Sequence, residues 1–139
     1  MTRFVLDTDT ISLLQRGHPK VAARVGSHDP AEVATTIISV EEQLSGWNTL
    51  LRRAKTAKEL VPVYERMTET VRFFARLPLL TFTEVAANVY ERLRKQKPRT
   101  ARMDLRIAAI ALAHRAAVVT RSTSDFLDIE GLLVEDWTA

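Results

Sequence analysis

What most constrains this chain is an alternation. Short apolar, β-branched runs recur along it, and each gap between them is filled by a stretch with helical spacing. RFVL at 3–6 reads as a buried strand and VATTIIS at 33–39 as a second. Leu79 to Phe82, Val118 to Thr120 and Leu132 to Val134 read as three more. Between the first two, Ile11, Leu13 and Leu14 predict a short helix capped at Thr8, Asp9 or Thr10, with Gly17 just past its end. His18-Pro19 opens another, running to Val25. Leu44, Trp47, Leu50 and Leu51 continue the helical pattern from Val40. Residues 56–76 carry Leu60, Val63, Tyr64, Met67, Val71 and Phe74 on one side, with Pro62 in the first turns. Thr83 caps a helix with Val85, Val89, Tyr90 and Leu93 inward. From Asp104 to Ala117 an alanine-rich helix carries a stripe of Ile107, Ile110, Ala111 and His114.

Strands alternating with helices predict a parallel α/β sheet covered on both faces. Right-handed crossovers then put every strand's C-terminal end on one edge, where ligands of open α/β sheets bind. The 139 residues suit a single domain over 1–139, long enough to bury a core. The opening apolar run, Phe4 to Leu6, is too short for a signal peptide, and no stretch approaches the ~20 apolar residues of a membrane span. A cytoplasmic protein without membrane contact is the expectation. With no cysteine, disulfides, Cys-based zinc sites, iron–sulfur clusters and thiol catalysis are excluded.

The net charge of +3 conceals an uneven distribution. Residues 1–42 carry 4 basic and 6 acidic side chains, residues 43–103 carry 13 and 5, and residues 104–139 carry 3 and 6. The basic middle includes Arg52, Arg53, Lys55 and Lys58, then Arg92, Arg94, Lys95, Lys97, Arg99 and Arg102. Such clustering suits a polyanion such as nucleic acid, although a run of charges is also what a solvated helix face looks like.

The acids are more telling by position. Asp7 follows the first strand, Glu41 and Glu42 follow the second, and Asp125 follows the fourth by five residues. The helix beginning near Asp104 runs antiparallel to the strand it feeds, so its N-terminus returns to the same edge. Each acid alone has a plain explanation as a cap, a first-turn acid or an Asx turn. Together they predict a cluster. Two carboxylates ~4 Å apart repel by roughly 4 kcal/mol at an effective dielectric near 20, so the cluster must protonate or bind a cation. Oxygen donors without thiolates point to Mg²⁺ or Mn²⁺. His18, His28 and His114 show no ligand spacing, and His114 reads as core or helix end.

These residues have a familiar arrangement. LDTDTIS, ISVEEQLSG and MDLRIAAIALAHRAAVVTRSTSDFLDIEGLLVEDW resemble a PIN-domain protein of the VapC toxin type, over nearly the whole chain. The resemblance implies a three-layer α/β/α sandwich with a short, mostly parallel central sheet. It also implies Mg²⁺- or Mn²⁺-dependent endoribonuclease activity and a cognate antitoxin that holds the toxin inactive. Asp7, Glu42, Asp104 and Asp125 match the four acids of the family's catalytic site, with Asp7, Asp104 and Asp125 as metal ligands. Glu42 is preferred to Glu41 because the family's glutamate stands four residues before a glycine, here Gly46. Thr120 and Ser122 fall in a supporting polar loop. Asp9 and Ser122 stand where the family commonly has Asn; a helix-capping role is the expectation for Asp9.

Arg92, Arg94, Lys95, Lys97, Arg99 and Arg102 are the expected contacts to RNA, with structured RNA such as tRNA as the expected substrate and a homodimer as the expected assembly. Trp47 and Leu51, on the helical hairpin around 44–76, are read either as core or as a surface for the antitoxin or a second copy. Two other readings stand beside this one. Asp7-Thr8-Asp9-Thr10 fits the DxDxT nucleophile motif of haloacid-dehalogenase-like phosphatases, but Lys20, Lys55, Lys58, Lys95 and Lys97 do not follow a late strand as that chemistry requires. A non-catalytic module that binds nucleic acid or a partner is the third.

Overall fold

In the computed structural model, which describes residues 1–97 and 99–139, the alternation closes into one parallel sheet. Its strands are β1 (Phe4–Leu6), β2 (Val33–Thr36), β3 (Leu79–Leu80), β4 (Ala117–Val119) and β5 (Val134–Glu135), in the order β3-β2-β1-β4-β5. Every pairing is parallel. Six helices flank the sheet among the described residues: α1 (Thr8–Gln15), α2 (Pro19–Gly26), α3 (Ile37–Arg53), α4 (Ala57–Phe74), α5 (Glu84–Gln96) and α6 (Arg102–Ala113). No helix among the described residues is long and apolar enough to cross a membrane.

The period of two along each strand divides the core into two layers. Val5 and Val118 point to one face, where they pack with Leu105, Ile107 and Ile110 of α6 and with Ala86, Tyr90 and Leu93 of α5. Phe4, Leu6, Ala117 and Val119 point to the other, against Ile11, Leu13, Val21, Phe74 and the buried Trp137. Sheets buried on both faces need strands apolar on both sides, which is why FVL and AVV do not alternate. Full burial of such side chains contributes roughly 1.5–3 kcal/mol each. Ala108, Ala109 and Ala111 let α6 lie close to the sheet.

Chain order sets the position of the site. Strands run outward from β1 through β2 to β3, then return to β4 on its other side. The order therefore reverses between β1 and β4, and such a switch point leaves a crevice at the strands' C-terminal ends.

Several sequence expectations shift. The second strand ends at Thr36, because the Thr36 side chain accepts from the Ser39 backbone N–H and starts α3 with Ile37. The third strand is only Leu79–Leu80, and the last is Val134–Glu135. Helix α6 stops at Ala113, where exposed His114 is the C-cap and leaves the apolar stripe. Arg115, at φ 55°, then turns the chain toward β4. Tyr64 and Val71 are exposed, because α4 packs chiefly along α3 and only its end, at Thr70 and Phe74, is buried. Val85 is also exposed; Ala86, Tyr90 and Leu93 form the buried stripe of α5.

Candidate active site

Asp7 is the residue after β1 and the N-cap of α1. Its Oδ1 accepts from the Thr10 backbone N–H at 2.8 Å, and the carboxylate is only 6% exposed. The cap expected at Thr8, Asp9 or Thr10 is thus Asp7 itself, and the cap and the first acid are one residue. Its backbone N–H donates to Val119 O (3.1 Å), as does the Thr10 hydroxyl (3.0 Å), so the start of α1 is tied to the end of β4. Burial pushes the Asp7 carboxyl above its ordinary range. Hydrogen bonds from the Thr120 side chain and from Thr10 oppose that rise, and the charge of Asp9 adds to it.

Glu42 lies on α3 and reaches the same crevice. The Thr8 hydroxyl donates to its Oε1 at 2.6 Å, so the 2.9 Å contact between Thr8 and the buried Ser39 uses the Ser39 hydroxyl as donor. Glu41, one residue earlier on the helix, is exposed and lines no cavity with these acids. Asp104 stands in the first turn of α6. Burial first, then the charges of Asp125, Glu42 and Asp7, push its carboxyl up to about 6.

Two cavities meet at Asp104. One, of about 330 Å³, is lined by Asp7, Thr8, Asp9, Ser12, Glu42, Asp104 and Ser122. The other, of about 340 Å³, brings Lys97, Arg99, Thr100, Asp125 and Asp128 against Asp104. Asp7, Glu42 and Asp104 share the first cavity and Asp125, in the 3₁₀ turn Thr123–Asp125, borders the second; Asp104 lines both and feels the charges of the other three. Thr120 is buried and its hydroxyl accepts from the Ser122 N–H at 2.9 Å. No lysine lines the Asp7 cavity, as aspartyl-phosphate chemistry would need.

Among the described residues, no three His, Asp or Glu side chains are already gathered around a common point where a metal ion would sit. The donor set nevertheless fits a hard dication in kind. It is carboxylate and hydroxyl oxygen only, and Asp104, raised first by burial, also feels the charges of Asp125, Glu42 and Asp7, which a cation would offset.

Of the basic residues, Lys97 and Arg99 border the second cavity, beside Asp104. Arg92, Lys95 and Arg102 are exposed away from it, and Arg94 is paired with Glu91 at 2.9 Å. A larger groove, about 550 Å³, lies between α1, α3 and α4, with Gln43, Trp47, Leu50 and Phe73 in its walls. Trp47 is half-buried there and donates to Thr70 Oγ1 at 2.8 Å. This groove lacks the acids, so size does not mark the chemistry.

Two polar residues escaped the sequence reading. Thr8 grips Glu42, and Arg121 forms a two-pronged ion pair with Asp9, Nε to Oδ2 at 2.7 Å and Nη2 to Oδ1 at 2.9 Å. Asp9 is therefore paired, not capping. The partners lie 112 residues apart, a separation at which no local pattern signals contact.

No protein-family model and no curated protein matches the chain. Solved structures do. A chain of FitAcB from Neisseria gonorrhoeae is 27% identical, covering 96% of this chain and 97% of that one, with a TM-score of 0.71. A chain of VapBC-1 from nontypeable Haemophilus influenzae is 25% identical over 99% and 100%, TM-score 0.72. A chain of DNA-bound VapBC from Salmonella typhimurium is 24% identical over 99% of both, TM-score 0.79. By fold, and across nearly its whole length, this chain is similar to these VapBC and FitAcB chains, consistent with the PIN-domain, VapC-type resemblance of its sequence.

Proposed function

We propose that the chain is a Mg²⁺- or Mn²⁺-dependent endoribonuclease of the VapC toxin kind, held inactive by a cognate antitoxin. The observation that carries this reading is the wall of one cavity, where Asp7, Glu42 and Asp104 meet from three distant parts of the sequence. Asp7, Asp104 and Asp125 would hold the cation. A hard dication bound among them lowers the pKa of water and offsets repulsion between the carboxylates and a scissile phosphate. Glu42, with Oε1 occupied by Thr8, keeps its other oxygen to complete the shell or orient the attacking water. Thr120 and Ser122 support that arrangement from the loop after β4. Lys97 and Arg99 would hold the neighbouring backbone phosphates of a structured RNA such as tRNA, with the exposed Arg92, Arg94, Lys95 and Arg102 as further contacts. The antitoxin partner follows the likeness to the VapBC-1 and FitAcB chains.

The test is incubation of purified protein with structured RNA and with a small phosphomonoester, in Mn²⁺ and in chelator. Metal-dependent RNA cleavage is expected, and Asp7→Asn or Asp104→Asn should lower it by about 100-fold or more with the fold retained. Either variant cutting at the wild-type rate sinks the site assignment. Salt-sensitive RNA binding without cleavage would mark a non-catalytic module, and phosphomonoester turnover a phosphatase.

A further inference from the structure

Asp9 brings a further carboxylate to a cavity that already holds Asp7, Glu42 and Asp104. Left free, it would add negative charge where a polyanion must approach. Both of its oxygens are instead taken by the planar fork of Arg121. Arg121 is the residue between the buried Thr120 and Ser122, which lines the cavity. Its backbone is anchored on either side: Thr120 N–H donates to Glu135 O at 2.9 Å, and Ser122 N–H to Thr120 Oγ1. The guanidinium thus reaches Asp9 from a braced turn at the end of β4.

We propose that Arg121 is a positioning residue that masks Asp9, withholding one carboxylate from the acidic mouth and so setting the negative charge it presents to a cation and to RNA. The proposal deepens the nuclease reading and, for its RNA arm, rests on it. It does not need Arg121 to touch substrate.

The test compares wild type with Arg121→Gln, Asp9→Asn/Arg121→Gln and Arg121→Lys. It uses Mn²⁺ titration of the protein alone and binding of a short labelled RNA in chelator. With Asp9 unmasked, Arg121→Gln should bind Mn²⁺ up to about five-fold more tightly and RNA up to about five-fold more weakly, the range of one exposed charge pair. The double variant, with neither charge, should return both values to wild type. Arg121→Lys, which keeps the charge and loses the fork, should fall between. Circular dichroism and Tm confirm that each variant is folded, and the double variant controls for a merely structural loss. If Arg121→Gln matches wild type in both titrations, or the double variant keeps the single variant's changes, the masking role is overturned. If the Mn²⁺ arm behaves as expected while wild type neither binds nor cuts RNA, masking stands and the nuclease reading falls.

Discussion

The two cavities that meet at Asp104 are nearly equal in size and opposite in character. On one side of the carboxylate, Asp7, Glu42 and Asp9 supply acids and Thr8, Ser12 and Ser122 supply hydroxyls. On the other, Asp125 and Asp128 are mixed with Lys97 and Arg99. The acids of the first, with Asp125 across Asp104 from them, suit a small cation, since only a concentrated positive charge relieves crowded carboxylates. The second has the cations to hold a phosphate beside that point. Asp104, which lines both, is where the two chemistries would meet.

If the division of labour is real, the largest separable effect lies on the mixed side. Lys97→Ala/Arg99→Ala should weaken RNA binding about ten-fold or more at low salt and flatten the salt slope by roughly 1–2, with Mn²⁺ binding little changed. Anisotropy titrations across a salt series measure it. An equal loss from Arg92→Ala/Lys95→Ala would mean that the whole basic face contributes and the cavity has no special place.

A smaller effect tests how far the two sides are coupled. In chelator, an NMR pH titration should find the Asp104 carboxyl half-protonated near pH 6. Asp125→Asn, acting from the mixed side, and Glu42→Gln, acting from the acidic side, should each lower that midpoint, because each removes a charge that raises it. A midpoint unmoved by Asp125→Asn would break the electrostatic link between the cavities.

The smallest effect is on stability. The folded carboxyl of Asp104 holds its proton up to about 6, against 3.8 ordinarily, so the folded chain binds more protons than the unfolded one between those values. Stability contributed by this group is therefore present below pH 3.8, falls as pH rises, and is fully lost above 6. Asp104→Asn removes that penalty. With Asp104 partly exposed, the discounted gain is about 1 kcal/mol at pH 7, or roughly 3 °C in Tm, and close to nothing at pH 3.5. Equal Tm changes at both pH values would mean the gain comes from packing, not from charge. A residue required for cleavage would thus be one the fold would be more stable without.

Much of this was legible before folding. The family resemblance prefers Glu42 to Glu41, and in the structure Glu41 is exposed while Glu42 lines the crevice. Right-handed crossovers put Asp7 at the strands' C-terminal edge, and the helix beginning near Asp104, antiparallel to the strand it feeds, returns its N-terminus there. Errors came where local and long-range forces compete. Ile37 and Ile38 are β-branched and read as strand, yet Thr36 caps a helix there. Tyr64, Val71 and Val85 fit the apolar period, but a helix leaning on another helix covers only part of that stripe. The partner of Asp9 lies 112 residues downstream, so its local sequence suggests only a cap.

Periodicity and strand–helix alternation are local, because hydrogen-bond geometry and side-chain spacing repeat every two or 3.6 residues. They were enough to specify a parallel α/β sheet with its acids at one edge. Partnership between side chains is not periodic. Asp7 serving as cap and acid at once, the place of Asp104 between Asp125 and the other acids, and the fork of Arg121 on Asp9 depend on where β4 is laid beside β1. Distance and burial set charge interactions, and both are settled only when those strands pair.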